Sequence, residues 1–211
     1  STAFDDSSSN SFAGLSDKTS LSFNSAESTV DTLNPTLSSS SPSDDSTNVD
    51  VASDIKLTFS ESVDRESGYI TIKKSSDDSE FEKIDVTSSQ VTGTGTNEIT
   101  INPANIFAST TQYYVEIDST AFDDSSSNSF AGISDKNSLN FTTKDIVAPT
   151  LSSSSPGDNS DSVSVDANII LKFSEIVNVS EGFIYIKKSE DHSTVEKISA
   201  SSTKVTGGGS N

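Results

Sequence analysis

The chain repeats itself, and no other feature limits its fold so tightly. "STAFDDSSSNSFAG" at Ser1–Gly14 returns without a change at Ser119–Gly132, an offset of 118 residues (119 − 1). The match runs on through "LSDKTSLSF", ending at Phe23, and "ISDKNSLNF", ending at Phe141. A second echo has an offset of 114 (149 − 35): "PTLSSSSP" at Pro35–Pro42 returns at Pro149–Pro156. In that register "IKLTFSESV" (Ile55–Val63) matches "IILKFSEIV" (Ile169–Val177), and "GYITIKKS" (Gly68–Ser75) matches "GFIYIKKS" (Gly182–Ser189). "VTGTGTN" (Val91–Asn97) likewise matches "VTGGGSN" (Val205–Asn211). The offsets differ by four residues (118 − 114), and the difference falls between Phe23 and Pro35. An insertion that leaves both flanks in register belongs in a linker.

These offsets describe a tandem array read out of phase. Residues 1–31 are the C-terminal part of one unit, 35–145 a complete unit, and 149–211 the N-terminal part of a further one. The end pieces lack a counterpart of Glu98–Asp118, so the sequence reads as a window cut from a longer protein. No signal peptide opens it, and no apolar run approaches the roughly 20 residues of a membrane span.

Within a unit the apolar residues alternate. Ile55, Leu57 and Phe59 alternate with Lys56, Thr58 and Ser60; Ile70 and Ile72 with Thr71 and Lys73; Ile99 and Ile101 with Thr100 and Asn102. Tyr113, Val115 and Ile117 do the same, and Leu139 and Phe141 flank Asn140. A period of two marks strands with one buried face. The spacing predicts strands at Thr36–Ser40, Ile55–Ser60, Gly68–Ser75, Phe81–Val86, Gln90–Thr92, Glu98–Pro103, Gln112–Asp118 and Ser138–Thr143. No stretch sustains a helical period. Seven to eight short strands in about 110 residues predict an all-β, two-sheet sandwich, large enough to fold without staples. Leu57, Phe59, Ile70, Ile72, Ile99, Ile101, Val115, Ile117 and Phe141 are its expected core.

Charge alone would permit disorder. A net charge of −19 with 30% hydrophobic residues describes a strongly solvated surface around thin cores; the periodicity argues for folding. The same acidity opposes nucleic-acid binding, because phosphates would be repelled, and suits divalent cations or a high-salt setting. Without cysteine there are no disulfides, thiol nucleophiles or thiolate metal sites.

The order "PTLSSSSPSDDSTNVDVASDIKLTFSESV", "GYITIKK", "TGTNEITINP", "YYVEIDSTAFDD", "SLNFTT" resembles the bacterial Ig-like repeats of S-layer proteins and giant surface adhesins. The resemblance covers the complete unit and both partial ones. It departs at "NPANIFASTTQYYV", which lacks the glycine often found before the tyrosine strand. It implies tandem Ig-like β-sandwich domains and an extracellular location, on the bacterial cell surface or secreted. It implies no ligand.

Catalysis finds little support. The one histidine, His192, has Asp78 as its counterpart, which reads as an exposed loop position. No serine has a base to activate it. The carboxylate pairs Asp44–Asp45 and Asp77–Asp78 become Asp158–Asn159 and Asp191–His192 in the later copy, so neither doublet persists.

The repeated loop is the metal candidate. Asp124, Ser126, Asn128, Phe130 (through its carbonyl), Gly132 and Asp135 stand at positions one, three, five, seven, nine and twelve. The other copy supplies Asp6, Ser8, Asn10, Phe12, Gly14 and Asp17. Alternating oxygen donors closed by a carboxylate are what Ca²⁺ requires. Against this, Ser11 and Ser129 occupy the place of an EF-hand's central glycine, and the alternative is an Asx-rich loop bonded to its own backbone. The junction acids Asp31, Asp44, Asp45, Asp145, Asp158 and Asp161 would either share a cation or hydrate a linker stiffened by Pro35 and Pro149. Lys73–Lys74 and Lys187–Lys188 would protect an edge strand or meet a neighbour's carboxylates. Tyr69, Tyr113 and Tyr114 read as packed aromatics rather than a sugar platform.

The expected function is a structural repeat of a large surface protein, acting as spacer or fibre-forming segment of adhesin type, and not an enzyme. Its expected partners are neighbouring repeats and other copies in a fibre or surface layer. The rival readings are a calcium-assisted glycan- or protein-binding module and a self-assembling surface-layer or sheath subunit, in which neighbouring chains complete the cut repeats.

Overall fold

The structure, a computed structural model, describes residues 4–17, 21–24 and 30–210. Among them every regular element is a strand. The chain divides into two compact units, 1–107 with 111–142 and 108–110 with 143–211.

The first unit carries β1 (Leu37–Ser41), β2 (Ser46–Val49), β3 (Ile55–Arg65), β4 (Tyr69–Lys74), β5 (Glu80–Asp85), β6 (Val91–Thr92), β7 (Thr96–Ile101), β8 (Gln112–Ile117), β9 (Phe122–Asp123) and β10 (Asn140–Thr143). One sheet has the order β1-β3-β7-β6, with β9 also on β3; the other has the order β2-β10-β8-β4-β5. All eight expected strands are present within a few residues, and two short ones, β2 and β9, are additional. Neither has a detectable alternation. β2, "STNV", holds a single apolar residue within its four positions, and β9 is two residues long.

The alternation predicts the core closely. All nine expected residues are buried, along with Ile55, Ile84, Val91, Phe107, Tyr113, Phe122 and Phe130. Two aromatic groups fill the space between the sheets. Phe59 meets Phe122 and Phe130 at centroid distances of 5.4 and 5.2 Å. Phe107 meets Phe81, Tyr113 and Phe141 at 5.0, 4.8 and 5.2 Å. Ring pairs at such distances contribute about 0.5–1.5 kcal/mol each beyond burial.

Two expectations change here. β4 is an internal strand, between β8 and β5, so Lys73 protects no edge. It pairs instead with Glu116 of β8 at 2.8 Å, the carboxylate directly across the ladder from Thr71. Tyr113 and Tyr114 are packed, as expected, but Tyr69 lies on the solvent face, with the Lys83 ammonium 4.1 Å above its ring.

The second unit repeats the first in its pairing. β11 (Leu151–Ser155), β12 (Ile170–Phe173), β13 (Phe183–Lys187) and β14 (Thr194–Ser199) form two two-stranded sheets. Leu151 pairs with Phe173 as Leu37 pairs with Phe59, with the register shift at the same place. Tyr69↔Asp85 and Phe183↔Ser199 correspond in the same way. Phe23, expected to end a strand like Phe141, is exposed and lies in no strand. Phe141 is held opposite Tyr113 of β8; among the described residues no strand pairs with Phe23.

Candidate functional site

The repeated loop closes on its own second aspartate. Asp124 Oδ1 accepts from the backbone N–H of Ser126 and of Asn128, both at 2.8 Å, and Oδ2 accepts from Asn128 Nδ2 at 2.8 Å. The Asp124 N–H returns to the Asn128 carbonyl, and Phe130 N–H donates to the Phe122 carbonyl. Ser127 takes φ 64° at the turn. This is the Asx arrangement in which a short acidic side chain replaces a backbone partner. The hydrogen bond from Asn128, with the two backbone donors, holds the Asp124 carboxyl below the usual range.

The other copy builds the same loop. Asp6 accepts from Ser8 N–H, Asn10 N–H and Asn10 Nδ2, each at 2.9 Å, and Phe12 N–H donates to the Phe4 carbonyl. Its carboxyl is lowered for the same reasons, the Asn10 side chain first.

The proposed ligand set is therefore spread over two turns. Asp124, Ser126 and Asn128 share one hydrogen-bonded turn, while Asp135 accepts from Asn137 N–H and Nδ2 in a separate one. The Phe130 ring is buried against Phe59. Gly132 takes φ +79°, and a Cβ there would lie 2.5 Å from the Ile117 carbonyl oxygen. That glycine lets Ile133 exchange both backbone hydrogen bonds with Ile117. Of the second copy, Asp6, Ser8 and Asn10 share the corresponding turn; Phe12 and Asp17 are exposed.

A different group of acids converges. Oxygens of Asp31, Glu61 and Asp124 all lie within 4.8 Å of one another. Asn128 Nδ2 also reaches the Asp31 carbonyl, at 3.2 Å, so the loop contacts the segment that leads into its own unit. Desolvation, followed by repulsion from Asp31 and Asp124, pushes the Glu61 carboxyl up. The second unit repeats the pair: burial and the Asp145 charge push Glu175 up. Asp44 and Asp45 go elsewhere, accepting from Asn140 N–H and Nδ2 at 2.9–3.0 Å.

Glu61 has no place among the residues expected from the sequence, yet a signal existed. Asp31 and Glu61 recur as Asp145 and Glu175 at the offset of 114, acids kept in both copies. Glu61 and Glu175 sit outside any dense acidic run, so local composition passes over them, whereas Asp31 and Asp145 stand among the junction acids.

His192 occupies an exposed turn at φ 55°, as Asp78 does at 56°. A shallow cleft of about 120 Å³, bordered by Asp54, Asn102, Pro103 and Ile106, is well below the roughly 300–1,000 Å³ of ligand pockets. No helix among the described residues is long and apolar enough to cross a membrane.

A family model described as a bacterial Ig-like domain matches residues 31–143 and again residues 145–206. The chain belongs to the bacterial Ig-like domain family. Among curated proteins, none matches. Among solved structures, CopC from Methylosinus trichosporium OB3b is similar over 55% of this chain and 98% of its own, at 19% identity and TM-score 0.38. The S-layer protein SbsC is similar over 77% of this chain and 22% of its own, at 14% identity and TM-score 0.37. PcoC, a copper resistance protein from Escherichia coli, overlaps 51% of this chain and 98% of its own, at 20% identity and TM-score 0.29. Membership in the bacterial Ig-like family rests on the sequence match and not on these overlaps.

Proposed function

We propose that this bacterial Ig-like chain is a non-catalytic structural segment of an extracellular surface protein, spacing or building a fibre through repeated sandwich units. The units are those at 1–31, 35–145 and 149–211. The carrying observation is that equivalent strands recur with identical pairing at an offset of 114, down to the displaced residue in β1 and β11. Sequence kept in this way preserves a shape. Small-angle scattering on chains of one, two and three units tests the reading. A constant increment in maximum dimension per unit is expected, and a dimension that stops growing would defeat a spacer.

The calcium expectation can be tested in the same preparation. In the loop, Asp124 already serves three donors, whereas Asp31, Glu61 and Asp124 bring three carboxylate oxygens within 4.8 Å of one another. Thermal unfolding of the whole chain is compared with calcium and with chelator. A ligand that binds only the folded form adds about 2.7 kcal/mol at a hundredfold excess over its Kd. A calcium-dependent rise lost in Asp135→Ala would support the loop set, and one lost in Glu61→Gln would support the three-carboxylate group. Equal melting temperatures would remove calcium from the reading.

A further inference from the structure

The segment that follows β10 is fastened, residue after residue, to the connection between β7 and β8. Thr143 Oγ1 donates to the Ala108 carbonyl at 2.6 Å, and Thr110 N–H donates to the Lys144 carbonyl at 3.3 Å. Ser109 stands between these two contacts. Its hydroxyl donates to Asp145 Oδ1 and accepts from Ile146 N–H, both at 3.0 Å. A serine hydroxyl carries one donor hydrogen and two acceptor lone pairs, so one side chain serves both neighbours. The compact units follow the same grouping, because 108–110 go with 143–211 and not with the strands on either side of them.

Asp145 is held from two further directions. Its Oδ1 also accepts from Val147 N–H at 2.9 Å, and its carboxyl meets that of Glu175. The turn recurs in the other linker, where Leu33 N–H donates to Asp31 Oδ1 at 3.0 Å. Thr36 and Ser60 then exchange hydrogen bonds as Thr150 and Ser174 do. Pro35 and Pro149 fix φ just before those contacts. The linker is a shaped element in both places.

The connection between β7 and β8 carries a strain that points the same way. Thr110 takes φ 51°, in the left-handed region that glycine enters freely and a β-branched residue rarely does. It lies in "NPANIFASTTQYYV", where the chain departs from its family's pattern by lacking a glycine before the tyrosine strand. A residue stays in such a conformation when its surroundings over-determine it. Here the turn aims the Thr110 N–H at Lys144 and sets the Thr110 hydroxyl 3.1 Å from that of Ser109.

We propose that Ser109 is a positioning residue for the array: by clasping Asp145 and Ile146 it takes the start of the linker out of free rotation and stiffens the joint between successive repeats. Independent motion is the default for units joined by a short linker. A clasp on that linker decides whether added repeats extend a rod or a string of loose beads. The inference rests on the spacer reading and supplies its stiffness.

The distribution of distances between two nitroxide labels on the whole chain tests it. The chain has no cysteine, so Ser76→Cys and Ser189→Cys, both at exposed positions, place one label in each repeat. Double electron–electron resonance on the labelled chain should give a narrow distribution. Adding Ser109→Ala should roughly double its width, as expected of units returned to independent motion. Asp145→Ala breaks the same contact from the linker side and should broaden it alike. Ser109→Thr keeps the hydroxyl and should keep the distribution narrow. The melting temperature of the complete unit should be unchanged in all three, since neither residue belongs to its core. A distribution already broad in the labelled chain, or one that keeps its width in Ser109→Ala or Asp145→Ala, would overturn the proposal. So would equal broadening in Ser109→Thr, which would assign the effect to packing of the loop, or broadening accompanied by a fall in melting, which would assign it to the sandwich. A loose joint would still let each unit add length, so the spacer reading would stand without the clasp.

Discussion

Phe122 and Phe4 are the same residue of the same loop, and they live in different surroundings. Both loops close on an aspartate with three hydrogen bonds of 2.8–2.9 Å, and both turn at a serine with φ near 65°. Yet Phe122 is fully buried beside Phe59, whereas Phe4 is largely in solvent. The loop's shape is thus a local property of "FDDSSSNSF", written in Asx chemistry, while the burial of its rings depends on strands far away in sequence.

The largest expected difference lies in the rings. Phe122→Ala should cost about 3–5 kcal/mol of unfolding free energy, the range for truncating a buried aromatic. Phe4→Ala should change it by less than about 0.5 kcal/mol. Urea denaturation of the complete unit's transition reads both, and similar costs would mean that Phe4 is buried after all.

The glycines should separate by less. Both sit at positive φ, near +80°, so alanine at either is strained by about 1–2 kcal/mol. Gly132→Ala additionally drives a Cβ toward the Ile117 carbonyl, whereas Gly14 has open space around it. The melting temperature should therefore fall further for Gly132→Ala. An equal fall would show that backbone conformation alone decides both sites.

Asp124→Ala and Asp6→Ala should look alike locally and unlike globally. Each should raise amide exchange at the two backbone donors, Ser126 and Asn128 or Ser8 and Asn10. Only Asp124→Ala should lower the melting of the complete unit, since only that loop is bound into a core. A global loss from Asp6→Ala would contradict the independence of the exposed copy.

The smallest effect is that of pH. Asp124 has a lowered carboxyl, so its contribution is fully present above the ordinary aspartate value of about 3.9 and is lost as pH falls through its folded value. Glu61, raised by burial and by Asp31 and Asp124, acts oppositely: its contribution is present in acid and lost as pH rises through its folded value. Removing Glu61, as Glu61→Gln, should therefore flatten the loss of stability toward neutral pH and leave the acid limb intact. An unchanged profile would mean that the three carboxylates do not interact.

The strands were legible because burial of one sheet face imposes an alternation that a single sequence displays, as in Ile55, Leu57 and Phe59. β2 and β9 were not legible, because two to four residues hold no period and their pairing is supplied by β10 and β3. The edge role assigned to Lys73 failed for a related reason. A lysine on a strand's outer face is the same in sequence whether the strand is an edge or lies between two others, and only the order β8-β4-β5 decides it.

The same division holds for the site. The sequence by itself determined the loop, because Asp, Ser and Asn at fixed spacing satisfy one another within nine residues and need nothing from outside. It also determined the repeat and, through the repeat, the kept acids at Asp31 and Glu61. Only the tertiary structure decided that Asp124 comes within reach of Asp31 and Glu61, since that meeting depends on where β3 and β9 pair. Local hydrogen bonds form between near neighbours, whereas carboxylates 30 and 63 residues apart (61 − 31 and 124 − 61) converge only when the fold brings the segments that carry them together.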